Sequence, residues 1–261
     1  MSTSPEPIMF LSGAGLPAWI WDDVRRDLGD GQQTQVASRP QGGRARLGDY
    51  AQAVIDSAPP GGYVIVAHSA GGVIGAEVAR LAPERVSAFL AISAMIPQPG
   101  GSFISAMPVP NRWVLSAAMR LAGTRPPASA IRRGLAHGLD DEVADRIIAD
   151  FTPESPALYR DRTAHRSWSG WRGYLRTAKD HELPMALQQR CAQRLGAAWQ
   201  RNLNTGHLPM LEDHQAVAAA ITRFLDARPS HRSTDGQESS VATTSRPGQV
   251  RDPALEDRST T

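Results

Sequence analysis

Residues 63–67, Tyr-Val-Ile-Val-Ala, are continuously apolar and largely β-branched. They run without a break into Ala67-His68-Ser69-Ala70-Gly71-Gly72, and residues 73–81 then take up helical spacing. A buried strand that turns at once into a helix constrains its corner severely. The residues two before and two after the apex must be small, because strand and helix approach closely there. Ala67 and Gly71 meet that requirement. The turn forces Ser69 into a strained backbone geometry and lifts its hydroxyl clear of the sheet. It also sets the Ala70 N–H at a helix N-terminus, where negative charge is stabilised. Serine between small residues is a weak pattern alone; in a strand–turn–helix setting it is a specific one.

The flanking sequence supplies that setting. Short apolar runs at 8–11, 34–36, 86–92, 173–177 and 198–203 read as strands. Amphipathic stretches at 19–28, 47–57, 73–81, 184–196 and 212–227 read as helices. This alternation predicts an α/β architecture, a mostly parallel central sheet flanked by helices. Between 97 and 170 the pattern turns helical, with candidate helices at 111–121, 129–137, 141–151 and 156–165. Such an insertion reads as a lid over the carboxyl edge of the sheet. The domain is expected to span 1–228. Residues 229–261 are Ser, Thr, Pro, Gly and balanced charge, too poor in apolar surface to offset their ordering entropy, and are expected to be disordered.

A serine hydroxyl is a poor nucleophile without a base, and the base needs a carboxylate to orient it. In the chain order serine, acid, histidine, the candidates follow successive strands. Asp180 lies just after the strand at 173–177, with Glu182 as the alternative acid. His207 lies after the last strand. His181 reads as a loop residue, His214 as a solvated helix residue, and His68 as a structural partner within the elbow. Oxyanion donors are expected from the N–H of Ala70 and of Ala14 in the turn Ser12-Gly13-Ala14-Gly15, with Gly13 as the alternative. Trp19, Met107, Trp113, Trp168 and Met210 are candidates to line an apolar substrate pocket.

Other function classes are disfavoured. The 261 residues carry 28 basic and 26 acidic side chains, a net charge of +2, with no basic run of the kind nucleic-acid binding needs. No apolar stretch approaches the ~20 residues of a membrane span. Residues 1–7 carry no basic leader, and the single cysteine suits a reducing compartment, so a cytoplasmic location is expected. Neither a metal nor a cofactor is implied: no His-x-x-Glu-His or cysteine-pair spacing occurs, and Gly13-Ala14-Gly15 lacks the third glycine of a dinucleotide site.

Four segments together resemble a known family. They are Phe10-Leu11-Ser12-Gly13-Ala14-Gly15-Leu16-Pro17-Ala18-Trp19-Ile20-Trp21, Ala67-His68-Ser69-Ala70-Gly71-Gly72, Lys179-Asp180-His181-Glu182-Leu183-Pro184 and Gly206-His207. In this order, over about residues 8–226, they are similar to the α/β-hydrolase-fold serine esterases, and within them to the plant methyl-ester esterase and hydroxynitrile lyase group and its bacterial relatives. Ser12 stands where the family usually has histidine, and Ala67 where it usually has glycine. The lyases place threonine at the Gly13 position and lysine at the Leu208 position, so the resemblance disfavours lyase activity. Ser69 disfavours the branches that use an aspartate nucleophile. The resemblance implies hydrolysis of a small to medium carboxylic ester through an acyl-enzyme, with a small-molecule substrate as the partner. Alternatives on the same triad are a thioesterase, a lactone- or ring-forming acyl transfer, or a ligand-binding receptor.

Overall fold

The computed structural model describes residues 5–40 and 43–229. Six strands form one sheet: β1 (Ile8–Leu11), β2 (Thr34–Val36), β3 (Tyr63–Ser69), β4 (Val86–Ala94), β5 (Trp171–Thr177) and β6 (Trp199–Leu203). All neighbours pair in parallel, in the order β2-β1-β3-β4-β5-β6. A parallel sheet must be covered on both faces, and its strands accordingly read as unbroken apolar runs. The helices are α1 (Asp22–Leu28), α2 (Leu47–Ser57), α3 (Gly71–Leu81), α4 (Phe103–Ala106), α5 (Val109–Ala122), α6 (Ala128–Arg133), α7 (Asp141–Asp150), α8 (Pro156–Arg160), α9 (Met185–Leu195), α10 (Pro209–Glu212) and α11 (His214–Asp226). One core lies under α2, α3 and α9 around Tyr50, Val73, Ile65, Phe89 and Leu187. The other lies under α1 and α11 around Trp21, Val24, Phe10, Ile221 and Phe224.

The strand order reverses between β1 and β3. In open α/β sheets, ligands bind outside the carboxyl ends of the strands at such a reversal. Ser12–Gly15 and Ser69 leave the sheet at that point.

The differences from the expected elements have local causes. β3 and β4 each run two residues further than the apolar runs suggested, to Ser69 and Ala94. The helix expected over 129–137 stops at Arg133, before Gly134. The one expected over 156–165 stops at Arg160, because Gly100 N–H and Thr163 N–H bond the carbonyls of Thr163 and Gly101 (2.7 and 2.8 Å) and draw the chain out straight. Helix α4 lies outside the expected helices; a reciprocal Ser102–Ser105 capping box holds it. The helix expected over 212–227 starts at His214, capped by the Asp213 carboxylate, which accepts from the Ala216 N–H at 2.9 Å; the short α10 precedes it as a separate turn. Among the described residues no helix is long and apolar enough to cross a membrane. Residues 230–261, most of the expected disordered tail, lie outside the described residues.

Candidate active site

Ser69 ends β3 with φ +52°, a left-handed conformation that a non-glycine residue rarely adopts. Two residues on, a Cβ at Gly71 would lie 2.3 Å from the Leu11 carbonyl oxygen. That contact is the physical content of the small-residue requirement read from the sequence.

The Ser69 hydroxyl lies 3.1 Å from His207 Nε2, and His207 Nδ1 lies 2.8 Å from Asp180 Oδ2. All three residues are buried. Asp180, not Glu182, holds the imidazole. Its carboxylate is saturated with donors: Thr177 Oγ1 at 3.0 Å and Ser93 Oγ on Oδ2, and the N–H groups of Glu182 and Leu183 at 2.8 Å each on Oδ1. Burial alone would push the carboxyl upward. The His207 charge and these hydrogen bonds outweigh it and hold Asp180 below the ordinary carboxylate range. For His207, burial alone would lower the pKa, and the Asp180 charge and hydrogen bond raise it above 6.5.

His68 bonds across the edge rather than within the elbow. Its Nε2 donates to the His207 backbone carbonyl at 2.8 Å. Complete burial keeps its ring neutral, with a pKa of about 3, so the contact fixes the backbone of His207 without adding a charge beside it. His181 stacks on His137 at 3.8 Å, and His214 bonds Asp27 at 2.6 Å, tying α11 to α1.

The first turn is held from behind. The Arg39 guanidinium donates to the carbonyls of Ser12 and Gly13, the latter at 2.8 Å. It also pairs with Glu154, whose carboxylate accepts from the Gly15 N–H at 3.1 Å and the Tyr50 hydroxyl at 2.8 Å. The Gly13 carbonyl and the Ala14 N–H belong to one trans peptide and point opposite ways. Holding that carbonyl on Arg39 therefore turns the Ala14 N–H away from Arg39. Among the described residues, neither the Ala14 N–H nor the Ala70 N–H has an intramolecular acceptor. Ser12, standing where the resembled family has histidine, accepts from Trp21 Nε1 at 3.1 Å.

Three of these supports escaped the sequence. Among the described residues Ser93 carries the other non-glycine positive φ (+38°), at the carboxyl end of β4; its one legible signal is a serine closing a buried strand. Arg39 and Glu154 are separated by more than a hundred residues and give no local signal.

The pattern of the alpha/beta hydrolase family matches residues 8–220. The chain belongs to that family. No curated protein matches it. Solved structures share its fold at low identity. One is an extracellular α/β-hydrolase from a Paenibacillus species, described as sharing structural and functional homology with tobacco salicylic acid binding protein 2 (TM-score 0.75, 15% identity, 84% of this chain and 98% of that one). Another is a pyrethroid hydrolase from Sphingobium faniae (0.68, 20%, 85% and 98%). A third is a methylesterase from Arabidopsis (0.65, 17%, 85% and 99%).

In this family member, Ser69, His207 and Ala14 open onto a cavity of about 460 Å³. Its walls are mostly apolar and come largely from the helices between β4 and β5, including Leu115, Met119 and Ile131, with Met107 among them. The other expected pocket residues lie elsewhere. Trp113 is 66% exposed, one position around α5 from the wall. Trp168 packs on Phe89 and donates to the Val86 carbonyl at 2.6 Å. Trp19 bonds Asp150 at 2.8 Å beneath the Arg146 guanidinium. Met210 is fully buried in the α1–α11 core. Large apolar residues mark burial, but their type does not say which of several apolar spaces they fill.

Proposed function

We propose that this protein hydrolyses a small to medium carboxylic ester through an acyl-enzyme. The observation that carries the reading is the line of contacts Ser69 Oγ–His207 Nε2 (3.1 Å) and His207 Nδ1–Asp180 Oδ2 (2.8 Å). In this reading His207 takes the Ser69 proton as the hydroxyl oxygen attacks the ester carbonyl. Asp180 keeps the imidazole in the tautomer whose Nε2 can accept, and stabilises the imidazolium that forms. The oxyanion is received by the free N–H groups of Ala14 and Ala70. His207 returns the proton to the leaving alcohol, then takes one from the water that attacks the acyl carbon and gives it to Ser69 Oγ as the acyl–oxygen bond breaks and the acid leaves. The helices between β4 and β5 act as a lid whose walls select the substrate. A cavity of about 460 Å³ whose wall is mostly apolar, with Arg125 and Glu182 among its polar lining, suits an ester of modest size with an apolar acyl or alcohol part. Similarity to structures named as esterase, methylesterase and pyrethroid hydrolase supports the same reaction class.

The test is labelling with a fluorophosphonate, located by peptide mass spectrometry, beside a panel of p-nitrophenyl esters of increasing acyl length. The expected result is one label on Ser69 and turnover of the short to medium esters, both lost in Ser69→Ala. Absence of any label would overturn the mechanism; a label without ester turnover would overturn the substrate class.

A further inference from the structure

A second cavity, of about 130 Å³, shares no lining residue with the first. It opens between α3, α9 and the chain that enters β5. Its charged lining is of one sign: Arg166, Arg172 and Arg194, with His165 beside them. Among the described residues none of the three arginines has a carboxylate partner. The Arg172 guanidinium donates to the Leu195 carbonyl at 3.4 Å. Arg166 Nη1 and Arg194 Nη1 are buried with no acceptor among the described residues. The acid whose charge reaches Arg166 is Glu77, and Arg80 already engages it at 2.7 Å. Burial pushes the Arg166 guanidinium below its usual range.

Buried N–H donors on a cation are costly when unmet, and native proteins meet them with protein, water or an ion. Guanidinium forks match the oxygens of a tetrahedral oxyanion. Three of them around one small space favour a dianion over a single carboxylate. Phe89 and Trp168, the latter fixed by its bond to the Val86 carbonyl, form the apolar side of the cavity.

We propose that this cavity binds a phosphate group, either the free ion or the end of a phosphate monoester. The volume admits the tetrahedral head and little of what it is attached to, so an attached group must leave through the open side. Binding ties α9 to the chain entering β5. Its effect is therefore on the stability of that corner, independent of the chemistry at Ser69.

The experiment is calorimetric titration and thermal melting of the full chain with inorganic phosphate, at constant ionic strength in chloride. Glycerol 3-phosphate and acetate are run as parallel arms. Saturable phosphate binding is expected, with a melting rise of roughly 5–10 °C at a hundredfold excess over Kd and no comparable response to acetate. Tighter binding of the monoester than of phosphate assigns the ester as the ligand; the reverse assigns the free ion. Arg166→Gln and Arg194→Gln should each weaken binding by about tenfold or more while keeping the parent circular dichroism, and either one suffices if the other fails to fold. No saturable binding by the parent up to about 10 mM, equal response to acetate, or binding unchanged in a folded variant would each overturn the proposal.

Discussion

The carboxyl edge of the sheet and the helices inserted between β4 and β5 line the same cavity, and they are held in opposite ways. At the sheet edge each group is fixed several times over. Asp180 accepts two side-chain and two backbone donors besides His207, the His207 backbone is pinned by His68, and Ser69 sits on a turn too tight for a side chain at Gly71. In α5, by contrast, Met119 alone is buried, and Trp113, Val114 and Leu121 are largely exposed. Chemistry that depends on tenths of an ångström belongs on the first kind of support. Substrate choice can rest on the second, where a changed side chain alters the wall without disturbing the reacting atoms. Arg39 and Glu154 join the two regions, since Glu154 belongs to the insertion and reaches back to the first turn.

The largest effects should fall on the rigid region. Ser69→Ala is expected to lower kcat by about 10⁴–10⁶-fold, read with the best p-nitrophenyl ester; a loss of less than tenfold would remove Ser69 from the chemistry. Asp180→Asn should cost about 10³–10⁴-fold in kcat with little change in KM. If its loss is no larger than that of Glu182→Gln, the assignment of the acid is wrong.

The junction should come next. Arg39→Gln releases the Gly13 carbonyl and lets the Ala14 N–H turn. A fall in kcat of about 10–10²-fold is expected, somewhat less than deletion of an oxyanion donor, with KM nearly unchanged. An effect on KM alone would make the Arg39–Glu154 pair a support for the insertion and nothing more.

Dependence on pH gives a gentler readout. In the proposed mechanism His207 must be neutral to accept the Ser69 proton, and Asp180 raises its pKa above 6.5. As pH falls through that raised value, kcat/KM should drop about tenfold per unit. Residual activity of Asp180→Asn should keep its plateau to lower pH, because the charge that favours the imidazolium is gone. An unshifted acid limb would assign it to another group. Smallest of all, Trp113→Ala should change KM by less than about twofold, whereas Leu115→Trp, on the cavity wall, should shift preference toward shorter acyl chains. Similar ester profiles for the two variants would erase the distinction between wall and surface.

The α/β alternation, the elbow at Ser69 and the places of Asp180 and His207 just beyond their strands are all legible along the chain. Each is a local consequence of chain periodicity: a strand's length and the residues just beyond it are written contiguously, and a parallel sheet brings the residues after β3, β5 and β6 to one edge. The features that packing alone settles involve residues distant in the chain. The Arg39–Glu154 clamp, Ser93 beneath Asp180 and the bond from His68 to His207 depend on which side chains the packing brings together. So does the choice of wall residues. Leu115 and Trp113 lie on one helix and are both apolar, but rotation about its axis sends one into the cavity and the other into water.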